Sequence, residues 1–108
     1  MKYQVFLTNE AEEDIMDIYH YVSTHDLPGK ADKLFDKLKD TCLSLNEFPE
    51  RGHNPPELER INVFDFLEIH YKPYRIIYQI RDHDVYIHCV IDGRRDLQEL
   101  LQRRLLRY

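Results

Sequence analysis

Tryptophan is absent from this chain, and cysteine occurs only twice. No apolar run approaches the roughly 18 residues that a membrane span requires, so no membrane partner is expected. The first residues, MKYQVFLTNEAEEDI, turn acidic too early for a secretory signal, and a cytoplasmic protein is expected. Cys42 and Cys89 fall at apolar positions of a helix and a strand, which reads as two buried reduced thiols. There is no phosphate loop, no dinucleotide fingerprint and no GxSxG nucleophile elbow. Six histidines are present, yet none stands in an HExxH or a His/Cys cluster at ligand spacing, so neither a metal nor another cofactor is expected.

Positive charge is also missing where it would matter for a general nucleic-acid binder. From Tyr3 to Gly29 there are six acidic residues and no Lys or Arg, and the net charge is −5. From Arg94 to Tyr108 five arginines face only Asp96 and Glu99, so the molecule is polarised along its sequence. The overall sign argues against broad phosphate-backbone binding and leaves room for a local basic patch.

What is present is a hairpin pattern. Tyr71–Asp92 holds two runs rich in Tyr, Ile and Val around the polar tetrapeptide Arg81-Asp82-His83-Asp84. Strand alternation puts Tyr74, Ile76, Tyr78 and Ile80 on one face, and Arg75, Ile77, Gln79 and Arg81 on the other. In the second strand it groups Val85, Ile87, Cys89 and Ile91 against Tyr86, His88, Val90 and Asp92.

Ahead of the hairpin, Tyr3–Thr8 alternates as a short strand, and Thr8 is placed to cap a helix with Glu10, Glu12 and Glu13 in its first turns. Ala11, Ile15, Ile18 and Val22 form one stripe of that helix to about Thr24. A second helix carries Ala31, Leu34, Phe35, Leu38, Cys42 and Leu45, ending near Asn46. Phe48–Leu58 holds three prolines and reads as a loop, and Ile61–His70 reads as a third strand. After Asp92-Gly93, Asp96 and Glu99 resemble a capping box, opening a short helix with Leu97, Leu100, Leu101 and Leu105 on its apolar side. The order β-α-α-β-β-β-(α) predicts a single α+β domain over 1–108, with a helical hairpin on one face of a mainly antiparallel sheet. The other face is expected to stay partly open.

On that other face Arg75 stands out, because a guanidinium between apolar neighbours must meet a carboxylate, solvent or a ligand's phosphate. Glu68 and Asp92 are the available carboxylates, and ion pairing and phosphate binding are left as equal alternatives. His88 reads as a partly buried hydrogen-bonded imidazole in preference to an acid–base group.

The segments YQVFLTNEAEEDI, FPERGHNPPEL, KPYRIIYQI and VIDGRRDLQELLQRRLL, in this order, resemble the RelE/ParE toxins of bacterial toxin–antitoxin systems, often described as plasmid stabilization proteins. The resemblance implies a compact β-α-α-β-β-β domain and a small cognate antitoxin that masks the active surface. For RelE-like members, which cleave messenger RNA on the ribosome, it implies Arg75 and Arg95 as the catalytic arginines. Other positions of that machinery depart, since Leu67 and Leu101 stand where relatives carry Arg and Tyr. ParE-like members act on DNA gyrase instead and need no nuclease residues; the opening and closing segments are more similar to those. The expectation is therefore a gyrase-directed toxin, with a ribosome-dependent endoribonuclease and a non-toxic interaction module as alternatives. Arg81, His88 and Arg94 are the candidate target- or partner-binding residues.

Overall fold

The computed structural model of the chain describes residues 2–94 and 96–106. Its elements are β1 (Gln4–Leu7), α1 (Asn9–His25), α2 (Lys30–Leu43), α3 (Pro56–Glu59), β2 (Leu67–Tyr71), β3 (Tyr74–Arg81), β4 (Asp84–Asp92) and α4 (Gln98–Leu105). Single 3-10 turns follow α2 at Ser44–Asn46 and precede α3 at Pro49–Arg51. The sheet runs β1-β4-β3-β2, with β1 parallel to β4 and the other pairs antiparallel. This is the α+β arrangement expected, with α1 and α2 laid over one face.

Local chemistry explains the helical half. Thr8 caps α1, its Oγ1 accepting from the Ala11 N–H at 3.2 Å. The stripe of Ala11 and Ile15 packs with Leu38, Cys42 and Leu45 of the second helix and its exit turn. Against them lie Ile76, Tyr78, Val85, Ile87 and Val90 of the sheet. Gly29 starts α2 at φ +88, a left-handed conformation that β-carbons disfavour.

The strand half departs from simple alternation at one point. Ile77 pairs with Cys89 but Tyr78 pairs with Ile87, so β4 carries one extra residue, His88, at a β-bulge. The phase of β4 therefore flips. Val85 and Ile87 face α1 and α2 as expected, whereas Cys89 and Ile91 turn to the opposite face and Val90 takes their place under the helices. The consecutive apolar run Cys89-Val90-Ile91 suits this, because the sheet is buried on both sides there.

That second face is not open. Leu58 of α3, Phe66, and Leu97 and Leu101 at α4 cover Ile77, Cys89 and Ile91 in a second apolar cluster. The capping box expected of Asp96 and Glu99 does not form: Leu97 stands at the N-cap without a side-chain cap, and Asp96, one residue earlier, accepts from the Gln98 N–H at 3.1 Å. The strand expected over Ile61–His70 forms only from Leu67. Before it the backbone turns at Asn62 with φ 61, and the Asn54 side-chain amide donates to the Phe66 carbonyl at 3.0 Å. The two thiols lie in different clusters on opposite faces of the sheet, and burial pushes each up to about 12. The sheet between them prevents a disulfide. No helix among the described residues is long and apolar enough to cross a membrane.

The segment between the helical and strand halves is fastened from below. Tyr78, fully buried, donates its hydroxyl to the Pro49 carbonyl at 2.6 Å. A β-carbon at Gly52 would overlap that hydroxyl and come within 2.8 Å of the Glu68 carbonyl. Gly52→Ala is therefore expected to destabilise the fold by about 1–3 kcal/mol in chemical denaturation, as overpacking does elsewhere. A midpoint equal to that of the parent chain would show that the segment yields freely.

Candidate functional site

The candidate residues of the second face fall into two grooves at opposite ends of β3. From Arg75 to Arg81 the strand advances on the order of 20 Å, at ~3.4 Å per residue. One groove, about 520 Å³, is lined by His53, Pro56, Glu68, His70, Arg75, Gly93 and Arg94, among others. The other, about 470 Å³, holds Asp65, Phe66, Gln79, Arg81, His88 and Arg104. Arg75 and Arg94 thus share one site, and Arg81 and His88 the other. Arg95, the second arginine that the resemblance implied, lies outside the described residues.

In the first groove Arg75 is locked. Its Nη1 and Nη2 donate to the two oxygens of Glu57 at 2.7 Å each, and its Nε donates to Glu68 Oε1 at 2.7 Å. The side chain is 12% exposed, and those of Glu57 and Glu68 are 10% and 3%. Of the two roles left open by the sequence, the ion pair is the one formed, with Glu57 as the main partner and Glu68 as the second. Asp92 serves Arg94 instead, through the Arg94 backbone N–H at 2.9 Å and its guanidinium. The Arg75 stem runs against Gly93, where a β-carbon would lie 2.7 Å from Cγ and Cδ. The hydrogen bonds to Arg75 hold the Glu57 carboxyl below its usual range, against the effect of burial.

Glu57 was not anticipated as a site residue. Its placement follows from Pro55-Pro56: Pro56 occupies the first helical position, and Glu57 comes next in a first turn aimed at the sheet. The Glu57 carbonyl also accepts from Gln98 Nε2 at 2.8 Å, which ties α3 to the start of α4.

In the second groove the bulge presents His88 toward Phe66, ring against ring at 5.5 Å and 76°. Gln79 Oε1 sits 3.2 Å from His88 Nε2, within hydrogen-bond distance. Behind it, Arg104 donates from Nη1 to Asp14 Oδ1 at 2.9 Å and from Nη2 to the His88 carbonyl at 2.8 Å. Asp14 Oδ2 accepts from the Val90 N–H at 2.9 Å, so the same carboxylate holds β4 just past the bulge. Arg104 also lies 3.4 Å from Glu10. The signal for Arg104 was present: it falls on the stripe of Leu97, Leu100, Leu101 and Leu105, where a charge needs a partner.

Burial lowers the pKa of His88 below its ordinary value, and the charges of Arg81 and Arg104 lower it further against a small opposing effect of Glu10. The unfolded chain then takes up the proton first. Stability associated with His88 is intact above about pH 6.5 and declines as pH falls from there toward the folded-state value. An NMR titration should place the His88 midpoint below that of an ordinary histidine, and Arg81→Ala should raise it. A midpoint at or above the ordinary value would contradict the assignment.

Among the described residues, neither groove brings together a nucleophile, a base and an oriented third group. Comparison with known proteins agrees with the fold. The sequence profile of the ParE toxin of type II toxin–antitoxin systems, parDE, matches residues 5–97. No curated protein matches the chain. Among solved structures, the chromosomal ParDE system of P. aeruginosa aligns with TM-score 0.70 at 16% identity, over 84% of this chain and 96% of that one. The RelBE2 toxin–antitoxin complex of Mycobacterium tuberculosis aligns at 0.62 and 23% identity, over 85% and 92%. A mutant of the E. coli toxin RelE in the free state aligns at 0.63 and 17% identity, over 98% and 97%. These likenesses carry the fold, and the profile carries the family: the chain belongs to the ParE toxins of type II toxin–antitoxin systems.

Proposed function

We propose that this toxin is neutralised by a cognate antitoxin and acts by binding DNA gyrase, not by cutting RNA. The observation that carries this reading is the engagement of Arg75 between Glu57 and Glu68. A RelE-like nuclease would need that guanidinium on the scissile phosphate, to offset charge as the phosphoryl group is attacked. Here two carboxylates already occupy it, and they would repel a phosphate approaching the same groove. The net charge of −5 acts in the same direction at longer range. A toxin that works through surface contact loses nothing by having Arg75 paired. The antitoxin is supported by the relatives, one from a ParDE system and one from a RelBE2 toxin–antitoxin complex.

The purified chain is expected to inhibit gyrase supercoiling, with activity recovered when the cognate antitoxin is added in equimolar amount. Cells induced without antitoxin should stop growing while their messenger RNA stays uncut at ribosome-phased positions. No effect on gyrase at saturating protein, together with codon-phased cuts, would replace this reading with the endoribonuclease. Unaffected growth would point to the interaction module.

A further inference from the structure

The edge of the first groove contains an arrangement that neither the family nor the spacing of the sequence suggests. His53, Glu68 and His70 each offer one ligand atom, the three atoms all within 4.8 Å of one another, and His53 Nδ1 also lies 3.3 Å from the Asn54 carbonyl. Glu68 Oε2 lies 3.6 Å from His53 Nδ1 and 3.5 Å from His70 Nε2. These separations are longer than the ~2.7–3.2 Å of an N–H···O hydrogen bond. They are close to the ~3.4 Å that separates two ligand atoms around a tetrahedral ion with bonds of about 2.1 Å. We propose that His53, Glu68 and His70 form a binding site for a divalent transition-metal ion of the zinc type.

The supporting structure is fixed before any ion arrives. The His53 N–H donates to the Glu68 carbonyl at 3.2 Å, and the Glu68 N–H to the His53 carbonyl at 2.7 Å. This two-way bridge sets the loop residue beside β2. His70 follows on the same face of that strand, two residues along. Glu68 divides its work between its oxygens. Oε1 accepts from Arg75, which orients the carboxylate from behind, and Oε2 is left for the histidines. The charges also suit a cation: Glu57 and Glu68 against Arg75 leave one net negative charge beside the two imidazole rings. The His53 and His70 side chains are 59% and 39% exposed, so an ion can enter from solvent. Two imidazoles and one carboxylate favour zinc, cobalt or nickel over magnesium or calcium, which prefer oxygen alone. The ion would pin the 52–55 segment to the edge strand, and a fourth position would open into the groove. This inference stands apart from the choice between gyrase and RNA.

Calorimetric titration of zinc chloride into the metal-free full chain is expected to show one site of micromolar affinity. His53→Ala and His70→Ala should each weaken it by about tenfold or more, since even outer-shell losses reach that size. His20→Ala and His25→Ala, on the far helix, should leave it unchanged. Cobalt should give a visible d–d spectrum with no thiolate charge-transfer band, and zinc should raise the melting temperature of the parent but not of the His53→Ala, His70→Ala double variant. Absence of binding would overturn the proposal. So would undiminished binding in the double variant, or a thiolate band that places the ion at Cys42 or Cys89.

Discussion

A single buried guanidinium sets the terms for this half of the molecule. Arg75 sits at the start of β3 between apolar neighbours, where an unpaired charge would be very costly. Its planar fork meets both oxygens of Glu57 and one of Glu68, which satisfies the charge and couples three elements. Through Glu57 it positions α3; through Glu68 it positions β2 and the loop bridged to it; along its stem it packs on Gly93, where the chain leaves β4 for α4. Such a pair contributes little net stability over a hydrophobic equivalent, but it ties these positions to one another. It also determines what the groove can attract, because two carboxylates now border it.

The second tie, between Asp14 and Arg104, gives a structural meaning to the polarised charge of the sequence. The acidic α1 and the basic α4 lie far apart in the chain and on opposite faces of the sheet. Asp14 and Arg104 meet across the β4 bulge, one bonded to the Val90 N–H and the other to the His88 carbonyl. Burial pushes the Asp14 carboxyl above its usual range, and the Arg104 hydrogen bond opposes that. Part of the apparent excess of each sign is therefore consumed internally. A surface reading based on counting arginines near the C-terminus overestimates the positive patch for that reason.

Elements governed by local periodicity were legible. The Thr8 cap, the apolar stripes of α1 and α2, the β3–β4 hairpin and the placement of Arg75 on the face away from α1 and α2 all follow from short-range rules, although the expected tetrapeptide connection shortens to Asp82-His83 because Arg81 and Asp84 pair. What escaped depends on registration between distant segments. Alternation has no means of locating an extra residue at His88, so it assigned Cys89 and Ile91 to the wrong face. The leucines at α4 were recognised as an apolar side, but their partner, the second face of the sheet, was not. Glu57 and the meeting of His53 with Glu68 and His70 arise from a proline-rich loop folding back on an edge strand, and no spacing rule encodes that. The candidate site was thus legible in Arg75 and in Glu68 as an available carboxylate, and illegible in Glu57, its main partner.

The decisive measurement is a double-mutant cycle of folding stability on Arg75→Met and Glu57→Gln. If the pair is the structural tie described, Arg75→Met alone should cost about 3–5 kcal/mol, because it leaves buried carboxylates unpaired. The double variant should recover part of that loss, giving a coupling of about 2–3 kcal/mol. Additivity within ~0.5 kcal/mol would mean that Arg75 and Glu57 do not depend on each other. Arg75 would then be free for a phosphate, and the account built on its engagement would fail.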